Sequence, residues 1–115
     1  MNTTFWIIDS HPIFCEGIVQ TLSKVKHFTV ELIAHSQEGL EVASATKTTA
    51  PDFIFIAIKM PAPGGPAMVE ILAKKYPASK PIAFSFYTDR AHIEPMFKAG
   101  CYAYIDKAFS ARATL

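Results

Sequence analysis

Four polar residues stand where apolar runs give out, and their types are the ones that could do chemistry. Asp9 and Ser10 follow Phe5-Trp6-Ile7-Ile8, Ser85 lies near the end of Pro81-Ile82-Ala83-Phe84-Ser85-Phe86, and Lys107 follows Tyr102–Ile105 and Asp106. A carboxylate, two hydroxyls and an ammonium are groups that hold a metal ion or a phosphate. They can equally satisfy one another. The longest apolar run, Phe53–Ile58, brings nothing of this kind, because Ala57 near its end offers only a methyl group. Asp9 is expected to pair with Lys107, since a lysine at a partly buried rim needs a counter-charge. A serine hydroxyl is a nucleophile only beside an activating base, and Ser10 is accounted for as a helix N-cap before Pro12. Ser85 is expected to hydrogen-bond backbone or a water. His11 has no second ligand at i+4, which argues against a metal role. Cys15 reads as small helix packing.

These residues need elements to position them. Phe53–Ile58 has no alternation, so it has no wet face, and it reads as a strand covered on both sides, the middle of a parallel sheet. Phe5–Ile8 reads as a first buried strand. A helix through about Lys26 should follow, with Ile13, Phe14, Ile18, Val19, Leu22 and Val25 at helical spacing. Phe28–Ala34 suits a second strand at an edge, because Glu31 interrupts it. Ser36 can cap a second helix carrying Leu40 and Ala43, with Pro51 marking its end. The turn cluster Pro61–Pro66 leads to a third helix with Met68, Ile71, Leu72 and Lys75 on one face, stopped at Tyr76-Pro77. Pro81–Phe86 is a fourth strand. A fourth helix falls within Asp89–Ala99, either starting near Glu94 with Pro95 at its first position or kinked there, and Gly100 fits its C-terminal cap. Met96-Phe97 reads as core. Tyr102–Ile105 is a fifth strand, and Ser110 could cap a final helix barely begun at Leu115.

Five βα units with short connections predict one α/β domain over residues 1–115, a doubly wound parallel sheet with right-handed crossovers. The flavodoxin-like strand order 2-1-3-4-5 brings Asp9-Ser10, Ala57, Ser85 and Lys107 to one rim, where open sheets of this kind bind ligands. Composition narrows the function. Half of the 115 residues are hydrophobic, 18% are charged and the formal net charge is +1, which describes a folded domain with a large core and no footprint for nucleic acid. Cys15 and Cys101 lie far apart without metal-ligand spacing, as expected of reduced thiols in a cytoplasmic protein. Met1–Ile8 is too short for a secretory signal, and no apolar run reaches membrane-spanning length.

At the rim residues the chain resembles the receiver domain of two-component response regulators. Asp9-Ser10-His11-Pro12-Ile13-Phe14-Cys15-Glu16-Gly17 resembles the Asp-Asp-His-Pro-x-Phe-Arg-Glu-Gly segment of NarL/LuxR-type regulators. Pro51–Pro61 resembles that family's third strand, with the phosphorylated aspartate falling at Ala57. Ser85 matches its Ser/Thr of strand four, Tyr104 its aromatic switch, Lys107 its invariant lysine and Ala99-Gly100 the pair before strand five.

The resemblance also shows what is changed. The family holds Mg²⁺ on an acidic pair after strand one, the strand-three aspartate and a backbone carbonyl that falls here at Lys59. In this chain Ser10 replaces the second acid and Ala57 the nucleophile, leaving Asp9 and Lys107 with no net charge between them. Magnesium needs oxygen ligands with one or two carboxylates besides phosphate, so its binding is expected to be weak or absent. Aspartyl-phosphate formation needs the missing carboxylate. The resemblance therefore implies a degenerate receiver, not an enzyme, that works by protein interaction outside the phosphorelay. It would be the N-terminal regulatory domain of a helix-turn-helix transcriptional regulator whose output domain lies beyond the chain end. A homodimer through the face of helix four, strand five and helix five fits the family, reshaped here by Pro95. Tyr104 is expected to hold one rotamer. The alternative is a small-molecule sensor using the vacated acidic pocket.

Overall fold

Along the first strand the side chains alternate between two apolar layers, and this alternation organises the molecule. In the computed structural model, residues 2–45, 47, 49–57, 64–85, 87 and 89–106 are described. They form β1 (Thr3–Ile8), α1 (Pro12–Ser23), β2 (Phe28–Ala34), α2 (Gln37–Ser44), β3 (Phe53–Ala57), α3 (Gly65–Lys75), β4 (Lys80–Ser85), α4 (Arg90–Lys98) and β5 (Ala103–Asp106). All neighbouring strands pair in parallel, in the order β2-β1-β3-β4-β5. This is the flavodoxin-like α/β arrangement that the alternating elements imply.

Phe5 and Ile7 face one layer with Cys15 and Ile18 of α1, Phe55, Ile82 and Phe84. Trp6 and Ile8 face the other, with Leu40 of α2, Ile54, Ile56, Met68 and Leu72 of α3, and Met96 of α4. Two buried faces explain why the central strands show no polar alternation. The α1 layer is aromatic: Phe5 stacks on Phe53 and Phe55, and Phe84 meets Phe14 and Phe55 edge to face. In the other layer Trp6 meets Tyr76 edge to face, and its buried indole N–H has no hydrogen-bond acceptor among the described residues.

Several element ends differ from the sequence reading, each for a local reason. The N-cap of α1 is His11, without a side-chain cap bond, and not Ser10. The Asp9 carboxylate takes the His11 N–H instead, and Pro12, at the first helical position, has none to satisfy. α1 ends at Ser23, three residues before Lys26, so Val25 lies outside it and is 45% exposed; Ile13, though helical, is 86% exposed. α2 stops at Ser44, well short of Pro51. The buried face of α3 is Gly65, Met68, Val69 and Leu72, while Ile71 is partly exposed. α4 starts at Arg90 and runs through Pro95, which leaves the Ala91 carbonyl without an i+4 donor on the solvent side. Met96 is fully buried, but Phe97, which the sequence reading put in the core, is 45% exposed. Gly100 adopts φ +114°, a left-handed conformation suited to the residue after a helix end. In β2, Glu31 is the extra residue of a bulge: Phe5 pairs with Val30 and Trp6 with Leu32, so the exposed carboxylate interrupts an edge strand.

Candidate functional site

The carboxyl ends of β1, β3 and β4 meet at one rim and deliver Asp9, Ala57 and Ser85, and β5, beside β4, carries Tyr104. Asp9 follows β1 and is 2% exposed. Its Oδ1 accepts the His11 backbone N–H at 2.9 Å and lies 3.2 Å from the His11 Nδ1. Its backbone is tied as well: the N–H donates to the Ala34 carbonyl at 3.0 Å. Its carbonyl accepts His35 Nδ1–H at 2.7 Å, with the Cys15 thiol 3.8 Å away. A carbonyl only accepts, so Nδ1 of His35 is the donor in that contact. Asp9 is thus clasped between the start of α1 and the end of β2. Ser10 beside it is partly exposed.

Ala57 closes β3 opposite Phe84, 4% exposed, in the same apolar cluster as Trp6, Met68 and Met96. Ser85 closes β4, also 4% exposed, and its Oγ accepts the Tyr87 N–H at 3.0 Å. Tyr104 of β5 packs against the Trp6 layer, and its hydroxyl donates to the Tyr87 carbonyl. Burial pushes the Tyr104 phenol above the ordinary tyrosine range; a hydrogen bond from Ser85 opposes this, while the Asp89 and Asp106 carboxylates reinforce it. The aromatic side chain lies inward, against the core. Lys59 and Lys107 lie outside the described residues, and so does the expected Asp9–Lys107 pair.

As a metal site the described donor set does not fit. Asp9, Ser10, Ala57 and Ser85 bring one carboxylate, two hydroxyls and a methyl group to that corner, and the Asp9 Oδ1 is already hydrogen-bonded locally. Among the described residues no group of three or more His, Cys, Asp or Glu side chains could hold a metal ion. Both cysteines are free and buried, and burial raises the Cys101 thiol above its usual range. A groove of about 340 Å³ opens between α1 and β2, lined by residues such as Cys15, Val19, Ile33 and His35. It does not take in Asp9, Ala57 or Ser85.

The sequence reading missed two participants. His35 is the residue after β2, and Ile8 pairs with Ala34, so the order β2-β1 alone sets His35 beside Asp9. Tyr87, two residues past β4, supplies both backbone groups that hold Ser85 and Tyr104. No local pattern marks that role, because it depends on where β5 lands.

The comparisons agree with this geometry. Residues 5–115 match the model of the response regulator receiver domain. The transcriptional regulatory protein DegU of Brevibacillus brevis is 28% identical over 95% of this chain and 45% of its own length. MctR of Rhizobium johnstonii, another transcriptional regulatory protein, is 27% identical over 90% of this chain and 48% of its own. The chain therefore spans under half the length of these curated relatives. Among solved structures, a LuxR-family two-component response regulator from an Aurantimonas species superposes with a TM-score of 0.80 at 21% identity, covering 99% of this chain and 83% of that one. The isolated receiver domain of RcsB from Salmonella enterica, solved with the phosphate mimic BeF₃⁻, gives 0.82 at 16% identity over 94% of this chain and 79% of that one. No helix among the described residues is long and apolar enough to cross a membrane. On the family match over nearly its whole length, this chain belongs to the response regulator receiver domain family.

Proposed function

We propose that this receiver domain, of NarL/LuxR type, signals without being phosphorylated. The observation that carries the reading is Ala57. It ends β3 at the position where the family resemblance sets the phosphorylated aspartate, and its methyl group is buried in the core. Attack on phosphorus needs a carboxylate oxygen there. Ser10 in place of a second acid leaves Asp9 as the remaining carboxylate of that set, and Asp9 already accepts from the His11 backbone. Mg²⁺ binding at the remnant pocket of Asp9, Ser10, Lys59, Ser85 and Lys107 is accordingly weak or absent, with Lys107 serving as counter-charge to Asp9. With no phosphate to draw on Ser85, Tyr104 keeps its inward place.

Such a domain communicates by shape and catalyses nothing. Its relatives are transcriptional regulators more than twice as long as the aligned segment. This supports an attached helix-turn-helix output domain as the DNA-binding part, in a cytoplasmic regulator. The near-neutral charge of this segment supports no nucleic-acid contact of its own. A homodimer through α4, β5 and the helix expected after Ser110 fits the same reading, with Pro95 altering the α4 surface. The small-molecule alternative draws no support from the groove between α1 and β2, which lies away from Ala57 and Ser85.

Trp6, the sole tryptophan, is fully buried in the layer that contains Ala57, and it makes a local reporter. Titration with Mg²⁺ and then beryllofluoride should leave its fluorescence unchanged. A saturable, Mg²⁺-dependent change on adding beryllofluoride would contradict the proposal.

A further inference from the structure

β2 is the outermost strand on its side of the sheet, and among the described residues nothing pairs with its outer edge. The Ala34 carbonyl turns toward β1, where it takes the Asp9 N–H at 3.0 Å. Backbone groups alternate along a strand, so the N–H and carbonyl of Ile33 turn the other way, to the open side. Side chains alternate as well. Leu32 and Ala34 are buried in the layer with Trp6, whereas the exposed Ile33 lines the groove of about 340 Å³ against α1. Pro12, Cys15 and Val19 share its apolar wall with Ile33, and Glu16 brings a carboxylate to it. His35 lines the end nearest Asp9, its ring held by the Nδ1–H bond to the Asp9 carbonyl. An open strand edge beside a helix gives an extended chain backbone partners on one side and side-chain contacts on the other.

We infer that this groove is a docking site for an extended basic peptide, which adds a strand to the open edge of β2. Charge selects the occupant. Glu16 lines the groove, Glu31 is exposed on the same strand two residues before Ile33, and no lysine or arginine lines the groove. These charges disfavour a second copy of this chain. Two β2 edges paired with each other would crowd the Glu31 carboxylates of both chains along one seam, and like charges across a strand pair are destabilising. A basic chain turns the same carboxylates into partners. In an added strand, side chains two apart share the groove face. One of them, aliphatic, packs against Val19 and Ile33, and the next, a lysine or arginine, lies beside Glu16. The site takes nothing from Ala57 or Ser85, so it stands independently of whether position 57 can be phosphorylated.

The test uses the full chain and a fluorescein-labelled peptide of alternating lysine and valine, followed by anisotropy, with a peptide of alternating glutamate and valine beside it. The basic peptide should bind saturably, and the acidic one at least about tenfold more weakly. Glu16→Lys, a change on the exposed surface of α1, should weaken the basic peptide by about tenfold and strengthen the acidic one. Ile33→Pro removes the outward N–H without touching the bonds to β1 and should abolish binding, whereas Ile33→Ala keeps the N–H and should retain part of it. In amide hydrogen exchange the basic peptide should slow Ile33 and leave Ala34 as it was. The inference fails if neither peptide binds, if both bind alike, if Glu16→Lys leaves the preference unchanged, or if Ile33 is not protected. Sedimentation showing a dimer of the unaltered chain that Ile33→Pro dissociates would assign the edge to a second copy and overturn the inference as well.

Discussion

The corner after β1 and the corner after β4 share one rim, yet they hold their polar groups by different means. At the first, nearly every tie is to backbone and several are short in sequence: Asp9 to the His11 N–H, His35 and Cys15 to the Asp9 carbonyl. At the second, Ser85, Tyr87, Tyr104 and His92 come from β4, the segment after it, β5 and α4. The first corner can keep its geometry if its neighbours shift. The second exists only while β5 and α4 are both docked. On the proposed reading, a receiver without phosphate chemistry has no use for mobility at Asp9, whereas contacts that join several elements can respond to their neighbours. The β4 corner is of that kind.

The largest effect expected from breaking this contrast is chemical. Ala57→Asp alone should take up no measurable phosphoryl group from a small-molecule donor with Mg²⁺, because Ser10 still leaves the cation short of a ligand. Ala57→Asp combined with Ser10→Asp should be labelled, approaching stoichiometry, as seen by intact mass. Efficient labelling of the single variant would show that the β1 corner is more permissive than its contacts suggest.

Stability changes come next. Asp9→Ala removes the acceptor of the His11 N–H together with the counter-charge assigned to Lys107, and should cost about 3 kcal/mol in urea unfolding. Asp9→Asn keeps an acceptor oxygen and should recover about 1 kcal/mol of that, separating the local tie from the charge. Ser85→Ala leaves the Tyr87 N–H without its acceptor in a nearly closed site, and should cost about 1–2 kcal/mol. It should also loosen Tyr104, which Asp9→Asn should not.

The smallest effect concerns alkaline pH. The folded chain raises the Tyr104 phenol above its ordinary value, mainly through burial. The neutral form is the one favoured by folding, so its contribution is complete below the ordinary tyrosine value of about 10. It is lost as pH rises from there through the raised native value. Thermal midpoints of the unaltered chain and Tyr104→Phe should therefore differ by a constant below that point and converge above it. A constant difference throughout would remove Tyr104 from the buried network.

Most of the sheet is legible in the amino-acid sequence. Unbroken apolar runs such as Phe53–Ala57 permit little else than strands covered on both faces, and Glu31 marks β2 as an edge. The helix ends were less so. Ser10 has the right residue type for a cap, but the helix begins at Pro12 with His11 as its N-cap, and the His11 N–H goes to the side chain of Asp9, whose backbone is anchored by β2. Val25 fits the helical period of α1, yet the helix has ended two residues before it. Phe97 follows Met96, and only the rotation of α4 against α3 decides which of the two is buried. At the rim, positions could be read from strand order, whereas the contacts of Tyr87 with Tyr104 and His92 could not, since they join residues whose meeting depends on the docking of two further elements.

The central claim is tested most directly by intact-mass measurement of the unaltered chain after incubation with acetyl phosphate and Mg²⁺. The account gives an unchanged mass at every time and donor concentration. A mass increase of one phosphoryl group that hydroxylamine reverses, approaching one per chain, would contradict it.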